Sequence, residues 1–254
     1  MMLPILTHKV DMLSVSVFKN RKELGMSAAH YVREKILEVL AQKNEVRIIF
    51  AAAASQREFL SELLNFNDIP WEKVTAFQMD EYHTLPKSAP QRFGNFLHSV
   101  FYRFKTFKNV HYMNDNLKEY ESLITNAPID IVCLGIGENG HLAFNDPPVA
   151  DFQDPKVIKE VELDATCRQQ QVNDGEFESI EKVPEKAVTL TIPALMKGSF
   201  LSVVVPGAAK AEAVKDTLFG EISTTCPASL LRTHPNAELF LDPESSKLIV
   251  DKIA

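Results

Sequence analysis

Short apolar runs alternate along the chain with amphipathic segments whose apolar residues recur at helical spacing. The run over residues 129–135 is rich in β-branched residues, which is typical of a buried strand in a parallel sheet. Residues 21–43 instead show the helical pattern, with charged residues between the apolar positions. This alternation predicts an α/β protein over residues 1–254, single-domain and doubly wound, with a mainly parallel sheet and helices on both faces in a Rossmann-like arrangement.

The remaining elements follow from the same two patterns. Strands are predicted over residues 46–54, 74–79, 109–112, 188–192, 200–205 and 239–241. Helices are predicted over residues 56–64, 91–103, 116–125, 165–172 and 208–219, and residues 151–161 are predicted as loop or edge strand. Ser55 with Glu58 forms a capping-box pattern at one helix start, and Asp242 before Pro243 predicts another.

The composition is that of an ordinary globular chain, and it narrows the range of partners. Of 254 residues, 45% are hydrophobic and 24% are charged, and the formal net charge is -7. This charge argues against nucleic acid or an anionic membrane as partner, although a local pocket can still bind a small anion. No apolar run approaches the ~18 residues of a membrane span, and residues 1–13 lack a signal-peptide core. Three cysteines at no metal-ligand spacing fit a reducing compartment, so we expect a cytoplasmic protein.

Polar residues follow three of the predicted strands at the points where the strands end. They are Ser55, Asp80 and the loop from Gly137 to Asp146. Because parallel strands bring their carboxyl ends to one edge of a sheet, these groups are expected to converge on one crevice. Asp80 follows apolar residues, so burial there would raise its pKa and suit it to proton transfer, although a solvated turn is the alternative.

The glycine loop and a later lysine carry the other candidate groups. Gly137 and Gly140 allow the loop backbone to approach a ligand closely. His141 paired with Asp146 would form an acid/base pair with a fixed tautomer, whereas His141 alone would be a structural histidine. Lys210 either binds an anion near a helix start or is an exposed helix lysine. None of the seven histidines lies at a zinc-ligand spacing, so no metal is expected.

Several segments together resemble the motifs of one enzyme family. They are FQMDEY at residues 77–82, LGIG at 134–137, GHLAFN at 140–145, VVVPGAAKAEAV at 203–214 and PASLL at 227–231. Their order and spacing over nearly the whole chain resemble the glucosamine-6-phosphate deaminases and galactosamine-6-phosphate isomerases, whose superfamily includes the 6-phosphogluconolactonases. Those lactonases typically have arginine in place of Tyr82 and a serine-leucine-phenylalanine-proline run after the histidine, so the deaminase/isomerase branch is favoured.

The resemblance implies an aldose–ketose isomerase that also deaminates an amino sugar phosphate and needs no cofactor. It would convert glucosamine-6-phosphate or galactosamine-6-phosphate to the ketose 6-phosphate with release of ammonia. Asp80 corresponds to the aspartate that moves the proton from C2 to C1, and His141 to the histidine that opens the ring. Asp146 corresponds to the acid that orients this histidine, usually a glutamate, and Lys210 to a lysine that helps hold the phosphate.

Three positions depart from the family pattern. Asn139 stands where the family usually has a catalytic aspartate two residues before the histidine. The phosphate loop, typically Thr-Gly-Ser-Thr-Pro, reads Ala-Ala-Ala-Ser-Gln over residues 52–56. The phosphate-binding arginine of the family falls near Gly175, and Arg168 is expected to substitute for it. The substrate-binding residues predicted in this way are Ala53, Ala54, Ser55, Gly137, Gly140, Arg168 and Lys210.

Two other functions stay open at this point. A 6-phosphogluconolactonase-type hydrolase would use His141 as the base for ester hydrolysis. A non-catalytic sugar-phosphate-binding protein is the second alternative, because Asn139 cannot ionise. The predicted partner is a small sugar phosphate in every case, and the sequence leaves open the C4 epimer, allosteric ligands and whether the chain forms a homo-oligomer.

Overall fold

The computed structural model describes residues 2–113 and 116–253, and within them the backbone forms two sheets flanked by helices. The strands are β1 (Leu6–Val10), β2 (Leu13–Val17), β3 (Val46–Phe50), β4 (Val74–Gln78), β5 (Asp80–Glu81), β6 (Asn109–His111), β7 (Ile131–Leu134), β8 (Ile158–Glu162), β9 (Lys186–Leu190), β10 (Phe200–Val205) and β11 (Ala237–Leu241). The helices are α1 (Arg21–Leu40), α2 (Arg57–Leu64), α3 (Phe93–Val100), α4 (Leu117–Thr125), α5 (Ala165–Asn173), α6 (Ile192–Leu195), α7 (Ala211–Phe219), α8 (Pro243–Ser246) and α9 (Val250–Ile253). None of the helices in these described ranges has both the length and the apolar character that crossing a membrane requires.

The central sheet has eight strands in the order β1-β2-β11-β10-β7-β3-β4-β6, and β5-β9-β8 form the second sheet. Neighbouring strands of the central sheet are parallel except in the β1–β2 hairpin. The chain runs from β3 outward to β4 and β6 and then returns through β7 to the other side of β3. Such a reversal of strand order leaves a crevice at the carboxyl ends of the strands. The predicted α/β fold with a mainly parallel sheet is therefore confirmed.

The central strand β7 explains the continuous apolar run in the sequence. All four of its residues are fully buried. Ile131 and Cys133 pack on the face covered by α1, α2 and α3, while Val132 and Leu134 pack on the face covered by α4 and α7. A strand between two helical layers has no solvated face, and burial of each such side chain contributes about 1.5–3 kcal/mol to folding.

The N-terminal hairpin is absent from the sequence prediction. In β2, the buried residues Leu13, Val15 and Val17 alternate with serines, which is the period-two pattern of a strand. The three central residues of β1 are exposed, because β1 lies at the edge of the sheet. This edge position removes the apolar signal of β1, whereas the alternation in β2 was present in the sequence and was missed.

Strands β3 and β4 end earlier than predicted, and both differences affect the cleft. Strand β3 ends at Phe50, and residues 51–53 line the cleft instead. Strand β4 ends at Gln78, and Asp80 begins β5, which pairs antiparallel with β9 of the second sheet. The chain thus changes sheets directly before Asp80. The segment at 151–161, predicted as loop or edge strand, contributes the start of β8 at the edge of the second sheet.

The capping box predicted for Ser55 and Glu58 is wrong. A 3-10 turn, Ala54–Gln56, precedes α2, so that Gln56 occupies the N-cap position and its side chain makes no capping bond. The Ser55 hydroxyl accepts a hydrogen bond from the Gln56 amide at 3.2 Å, and Glu58 binds Arg21 at 2.6 Å. The turn shifts the helix start past Ser55, which leaves this hydroxyl at the cleft.

The helix start predicted at Asp242 and Pro243 is confirmed. Asp242 accepts a hydrogen bond from the backbone N–H of Ser245, whose hydroxyl in turn accepts one from the backbone N–H of Asp242. The same carboxylate accepts a hydrogen bond from the N–H of Gly207 at 3.1 Å. Asp242 therefore ties the connection between β10 and α7, which carries Lys210, to the start of α8.

Candidate active site

A cleft opens at the carboxyl ends of β3, β4, β7 and β10. Its walls come from the segments that follow these strands and from α5. The residues that line it include Ala53, Ser55, Asp80, Gly137, His141, Gln170, Gln171 and Lys210. The topology thus brings together the strand ends that the sequence singles out, because those four strands are neighbours in the sheet.

Asp80 lines the cleft although its side chain is only slightly accessible. The residue is 6% exposed, and its carboxylate has no hydrogen-bond or ion-pair partner among the described residues. Burial, together with the neighbouring negative charge of Glu81, raises the pKa of Asp80 well above its usual range. Such a carboxylate is a stronger base than a solvated one, and its oxygens are available to a substrate.

The carboxylate of Glu81, the next residue, is instead held within the fold by hydrogen bonds. Its carboxylate accepts hydrogen bonds from the backbone N–H groups of Tyr82, Phe93 and Gly94 at 2.8, 2.9 and 3.0 Å. Phe93 and Gly94 open α3, so Glu81 satisfies N–H groups that the helix itself cannot. The side chains of Asp80 and Glu81 therefore point in different directions, as expected for successive residues of a strand.

Two glycines allow the loop after β7 to fold back on itself. A Cβ on Gly137 would lie 2.2–2.3 Å from three ring atoms of His141, so only glycine leaves room for the imidazole. Gly140 has a φ of +81°, and a Cβ there would lie 2.7 Å from the sulfur of Cys226. The loop is closed by a hydrogen bond from the Gly137 N–H to the carbonyl of His141 at 3.0 Å.

His141 is oriented by two acceptors. Its Nδ1 lies 2.9 Å from the Asp146 carboxylate and 2.8 Å from Oδ1 of Asn139. Since both partners accept, Nδ1 carries the proton in this arrangement, and Nε2 is left for the cleft. Burial tends to raise the pKa of Asp146, but the hydrogen bond and charge of His141 and the hydrogen bond of Asn139 outweigh it, and the pKa is lowered.

Asn139 holds this group together through both ends of its amide. Its Oδ1 accepts from the backbone N–H and ring nitrogen of His141 at 3.1 and 2.8 Å. Its Nδ2 donates to Asp146 at 2.9 Å and to Asp164 at 3.4 Å. An aspartate in this position could accept at one end but could not donate at the other unless it were protonated.

Lys210 supplies positive charge at the cleft. It is 8% exposed, and burial lowers its pKa, although Asp174 and Glu138 act in the opposite direction. Among the residues that the structure describes, its ammonium makes no ion pair. Ser55 lines the same cleft. A buried ammonium without a partner is suited to binding an anionic group.

The alanine loop after β3 adopts an unstrained backbone. Ala53 is extended, with φ -149° and ψ 155°, so the glycine expected there is not required. Ala53 lines the cleft, whereas Ala54 does not and contributes instead to an adjacent smaller pocket. The carbonyl of Ala54 accepts a hydrogen bond from Arg21 at 2.8 Å. Gly140 also lies outside the cleft lining, behind the His141 loop.

Arg168 lies outside the cleft, contrary to the expectation that it binds the substrate. Its guanidinium donates to the carbonyls of Ile180 and Val183 at 2.7 and 3.0 Å, which fixes the chain after α5. The face of α5 that meets the cleft carries Gln170 and Gln171 instead. These two glutamines were not among the residues predicted from the sequence, and they line the same cleft as Lys210.

Comparison with known proteins gives consistent matches over nearly the whole chain. The model of the family described as glucosamine-6-phosphate isomerases/6-phosphogluconolactonase matches residues 19–240. A glucosamine-6-phosphate deaminase from Bacillus cereus (strain B4264) is 33% identical over 249 residues, covering 95% of this chain and 91% of that protein. One from Bacillus thuringiensis (strain Al Hakam) is 32% identical with the same coverage.

Solved structures agree with these sequence matches. A monomeric glucosamine-6-phosphate deaminase superposes with a TM-score of 0.82 at 27% identity, covering 92% of this chain and 99% of that one. A 6-phosphogluconolactonase from Thermotoga maritima, at 19% identity and a TM-score of 0.74, covers 91% and 99% and shares the fold. The family match and the 33% identity together show that the chain belongs to the glucosamine-6-phosphate isomerase/6-phosphogluconolactonase family.

Proposed function

We propose that the chain is an aldose–ketose isomerase that deaminates an amino sugar phosphate. It converts glucosamine-6-phosphate or galactosamine-6-phosphate to the ketose 6-phosphate and releases ammonia. The observation that carries the proposal is the buried carboxylate of Asp80, which has no partner among the residues that the structure describes and lies in the same cleft as His141 of the His141–Asp146 pair. The relatives named glucosamine-6-phosphate deaminase support the same activity.

In the proposed mechanism His141 opens the sugar ring. Its Nδ1 proton is held by Asp146 and Asn139, and Nε2 is the free position. Nε2 takes the proton of the anomeric hydroxyl and returns it to the ring oxygen as the C1–O bond to the ring breaks. The product is the open-chain aldehyde, whose carbonyl acidifies the proton on C2. No cofactor is needed for this step.

Asp80 then transfers a proton between carbons. It removes the C2 proton to give an enol-type intermediate and returns the proton to C1. A proton from the C2 amine passes to the former aldehyde oxygen, which leaves an imine at C2. Water hydrolyses the imine to the ketone and ammonia. The raised pKa of Asp80 fits both halves of this transfer, since the group must accept a proton and give it back.

Lys210→Met is expected to lower kcat/KM for the 6-phosphate by about 10- to 100-fold, the cost of one charge-assisted hydrogen bond. The reason is that Lys210 is the unpaired buried cation lining the cleft among the described residues. The measurement compares an amino sugar with its 6-phosphate in wild type and variant, with Lys215→Met on the exposed face of α7 as matched control. Equal use of both sugars by wild type would contradict a phosphate-binding role.

Ammonia release from a panel of amino sugars, with and without a 6-phosphate, tests the proposed function directly. The proposal requires ammonia and ketose in equal amounts from at least one 6-phosphate. Hydrolysis of 6-phosphogluconolactone without ammonia release would instead identify a lactonase. Tight binding of an amino sugar phosphate without turnover would identify a sugar-phosphate-binding protein.

Asn139→Asp is expected to lower stability at neutral pH by about 2 kcal/mol, because two donated hydrogen bonds to carboxylates are lost. The neighbouring charges of Asp146 and Asp164 raise the pKa of the new carboxyl in the folded chain. Ionising this carboxyl therefore costs folding free energy, and the cost is absent below the unfolded-state pKa and grows as pH rises. The difference in Tm between wild type and variant should therefore be small near pH 4 and largest at neutral pH.

The same variant separates an enzyme from a binding protein. Because the amide of Asn139 already positions His141, wild type is expected to be active, and Asn139→Asp is expected to change the pH dependence of kcat more than its maximum. If wild type turned over no amino sugar phosphate and Asn139→Asp gained activity, the proposal that the chain is an active enzyme would be contradicted.

We also propose that residues 1–254 act as one domain in the cytoplasm on a small sugar phosphate. The cleft draws on residues from 51 to 210, most of which follow neighbouring strands of the central sheet, and this supports a single functional unit. All three cysteines are free thiols, which fits a reducing compartment. Homo-oligomerisation stays a prediction, to be tested by light scattering.

A further inference from the structure

Three side chains that commonly ligate metals meet behind the cleft. His141, Asp146 and Cys167 each offer one ligand atom, and these atoms all lie within 4.8 Å of one another. All three residues are buried, and they come from two separate segments, the loop after β7 and the first turn of α5. The sequence does not reveal this cluster, because no pair among the three has the spacing of a local zinc motif.

One carboxylate oxygen of the cluster lacks a strong hydrogen-bond donor among the described residues. Asp146 is fully buried, and its Oδ2 has no hydrogen bond among the described residues beyond the weakly donating thiol of Cys167, which helps to lower the pKa of Asp146. Leaving a buried carboxylate oxygen without a strong donor is unfavourable. A cation at this position would give that oxygen a strong partner.

The chemical types of the three ligand atoms determine which cations the cluster can bind. One imidazole nitrogen, one carboxylate oxygen and one thiolate match Zn²⁺ and similar thiophilic divalent ions, whereas Mg²⁺ and Ca²⁺ prefer oxygen ligands. With metal–ligand distances of about 2.0–2.3 Å, tetrahedral ligand atoms lie about 3.3–3.8 Å apart. The 2.9 Å between Nδ1 of His141 and Oδ1 of Asp146 would have to widen by a few tenths of an ångström, while the sulfur of Cys167 lies within 4.8 Å of the other ligand atoms.

We propose that His141, Asp146 and Cys167 bind a thiophilic divalent cation such as Zn²⁺ and that this binding inhibits the enzyme. The cation takes the place of the proton on Nδ1 of His141, and that proton moves to Nε2, because a neutral imidazole that ligates through one nitrogen carries its proton on the other. The thiol proton of Cys167 passes to solvent. The hydrogen bond between His141 and Asp146 is then replaced by metal ligation, and Nε2, now protonated, can no longer take the proton of the anomeric hydroxyl. The metal site stands on geometry alone, while its inhibitory effect rests on the proposed function.

Direct binding is measured by titrating the full chain with Cd²⁺ and following the thiolate-to-metal charge-transfer absorption. Wild type is expected to show this band, and Cys167→Ser and Cys167→Ala are expected to lose it. Cys226→Ser is the matched control, because Cys226 is also a buried free thiol but lies beside Thr217 and outside the cluster. Absence of the band in wild type, or its persistence in both Cys167 variants, would overturn the site.

Inhibition is measured as the concentration of free Zn²⁺ that halves ammonia release, with Mg²⁺ as a non-thiophilic control. Removing one of three ligands in Cys167→Ser is expected to raise this concentration by at least about 10-fold, and Cys226→Ser is expected to leave it unchanged. Equal inhibition of wild type and Cys167→Ser would contradict the proposal. A Cd²⁺ band in a chain without amino sugar turnover would support the metal site and contradict the proposed function, so the two can fail separately.

Discussion

Asp80→Asn is expected to reduce turnover of the amino sugar phosphate by about 10²–10⁴-fold while leaving substrate binding largely intact. The carboxylate lines the cleft, has no partner among the described residues, and has a raised pKa from burial and from the charge of Glu81. An amide of the same shape keeps the packing but cannot take the C2 proton. Exchange of that proton with deuterated solvent is the readout, and near wild-type exchange in the variant would exclude Asp80 as the base.

Glu81→Gln provides the matched control for this prediction. Its carboxylate accepts backbone hydrogen bonds from Tyr82 and from Phe93 and Gly94 at the start of α3, so both oxygens are already bound within the fold. The substitution is expected to lower the stability of the chain, because an amide supplies one acceptor oxygen where the carboxylate supplied two. The exchange rate per folded molecule should fall far less than in Asp80→Asn, because burial, the larger cause of the raised pKa of Asp80, is unchanged. A loss of exchange equal to that of Asp80→Asn would leave the assignment of the base undecided between neighbours and so contradict the specific role of Asp80.

Asp80→Asn is also expected to stabilise the fold, although it lowers the rate of turnover. Because the pKa of Asp80 is raised in the folded chain, ionising it there costs folding free energy that is not spent in the unfolded chain. This penalty is absent below the unfolded-state pKa and grows as pH rises toward the folded-state value. The gain in Tm of the variant should thus be near zero at about pH 4 and largest at neutral pH, where ~1 kcal/mol would shift Tm by ~2–4 °C.

The fold was largely predictable because its central strands have an unambiguous pattern. Strand β7 is buried between helical layers on both faces, so its apolar run has no competing interpretation. Strand β10 was predicted with its observed bounds for the same reason. Strand β1 escaped prediction because exposure at a sheet edge removes its apolar periodicity, whereas the alternating pattern of β2 was present in the sequence and was missed. The capping pattern at Ser55 failed because a 3-10 turn moved the helix start, and such a turn leaves no local sequence signature.

The lining of the cleft was predictable at the ends of strands and unpredictable where it depends on the orientation of a helix. Asp80, His141 and Lys210 line one cleft because the strands before them are neighbours. Arg168 and Gln171 both lie on α5, and which of them faces the cleft depends on the rotation of the helix. The sequence contains only a weak signal for this rotation. The buried residues Cys167, Gln170 and Gln171 recur at helical spacing, but two of them are polar.

His141→Gln is expected to slow the natural cyclic sugar by about 10²–10⁴-fold and an open-chain analogue far less. Ring opening moves a proton between the anomeric hydroxyl and the ring oxygen, and imidazole is the group in the cleft suited to that transfer near neutral pH. Its Nδ1 is held by Asp146 and Asn139, so the ring presents Nε2 in a fixed direction. Glutamine keeps a polar side chain of similar reach but cannot carry a proton from one oxygen to the other.

The measurement compares kcat/KM for both substrates in wild type, in His141→Gln and in a histidine control. His83→Gln is the control, because His83 is paired with Glu160 and does not line the cleft. The control should leave both rates unchanged, and the ratio of open-chain to cyclic rates should rise only in His141→Gln. If the two substrates lose rate equally, His141 acts after ring opening or through the fold. The order of steps proposed above, with His141 before Asp80, would then have to be abandoned.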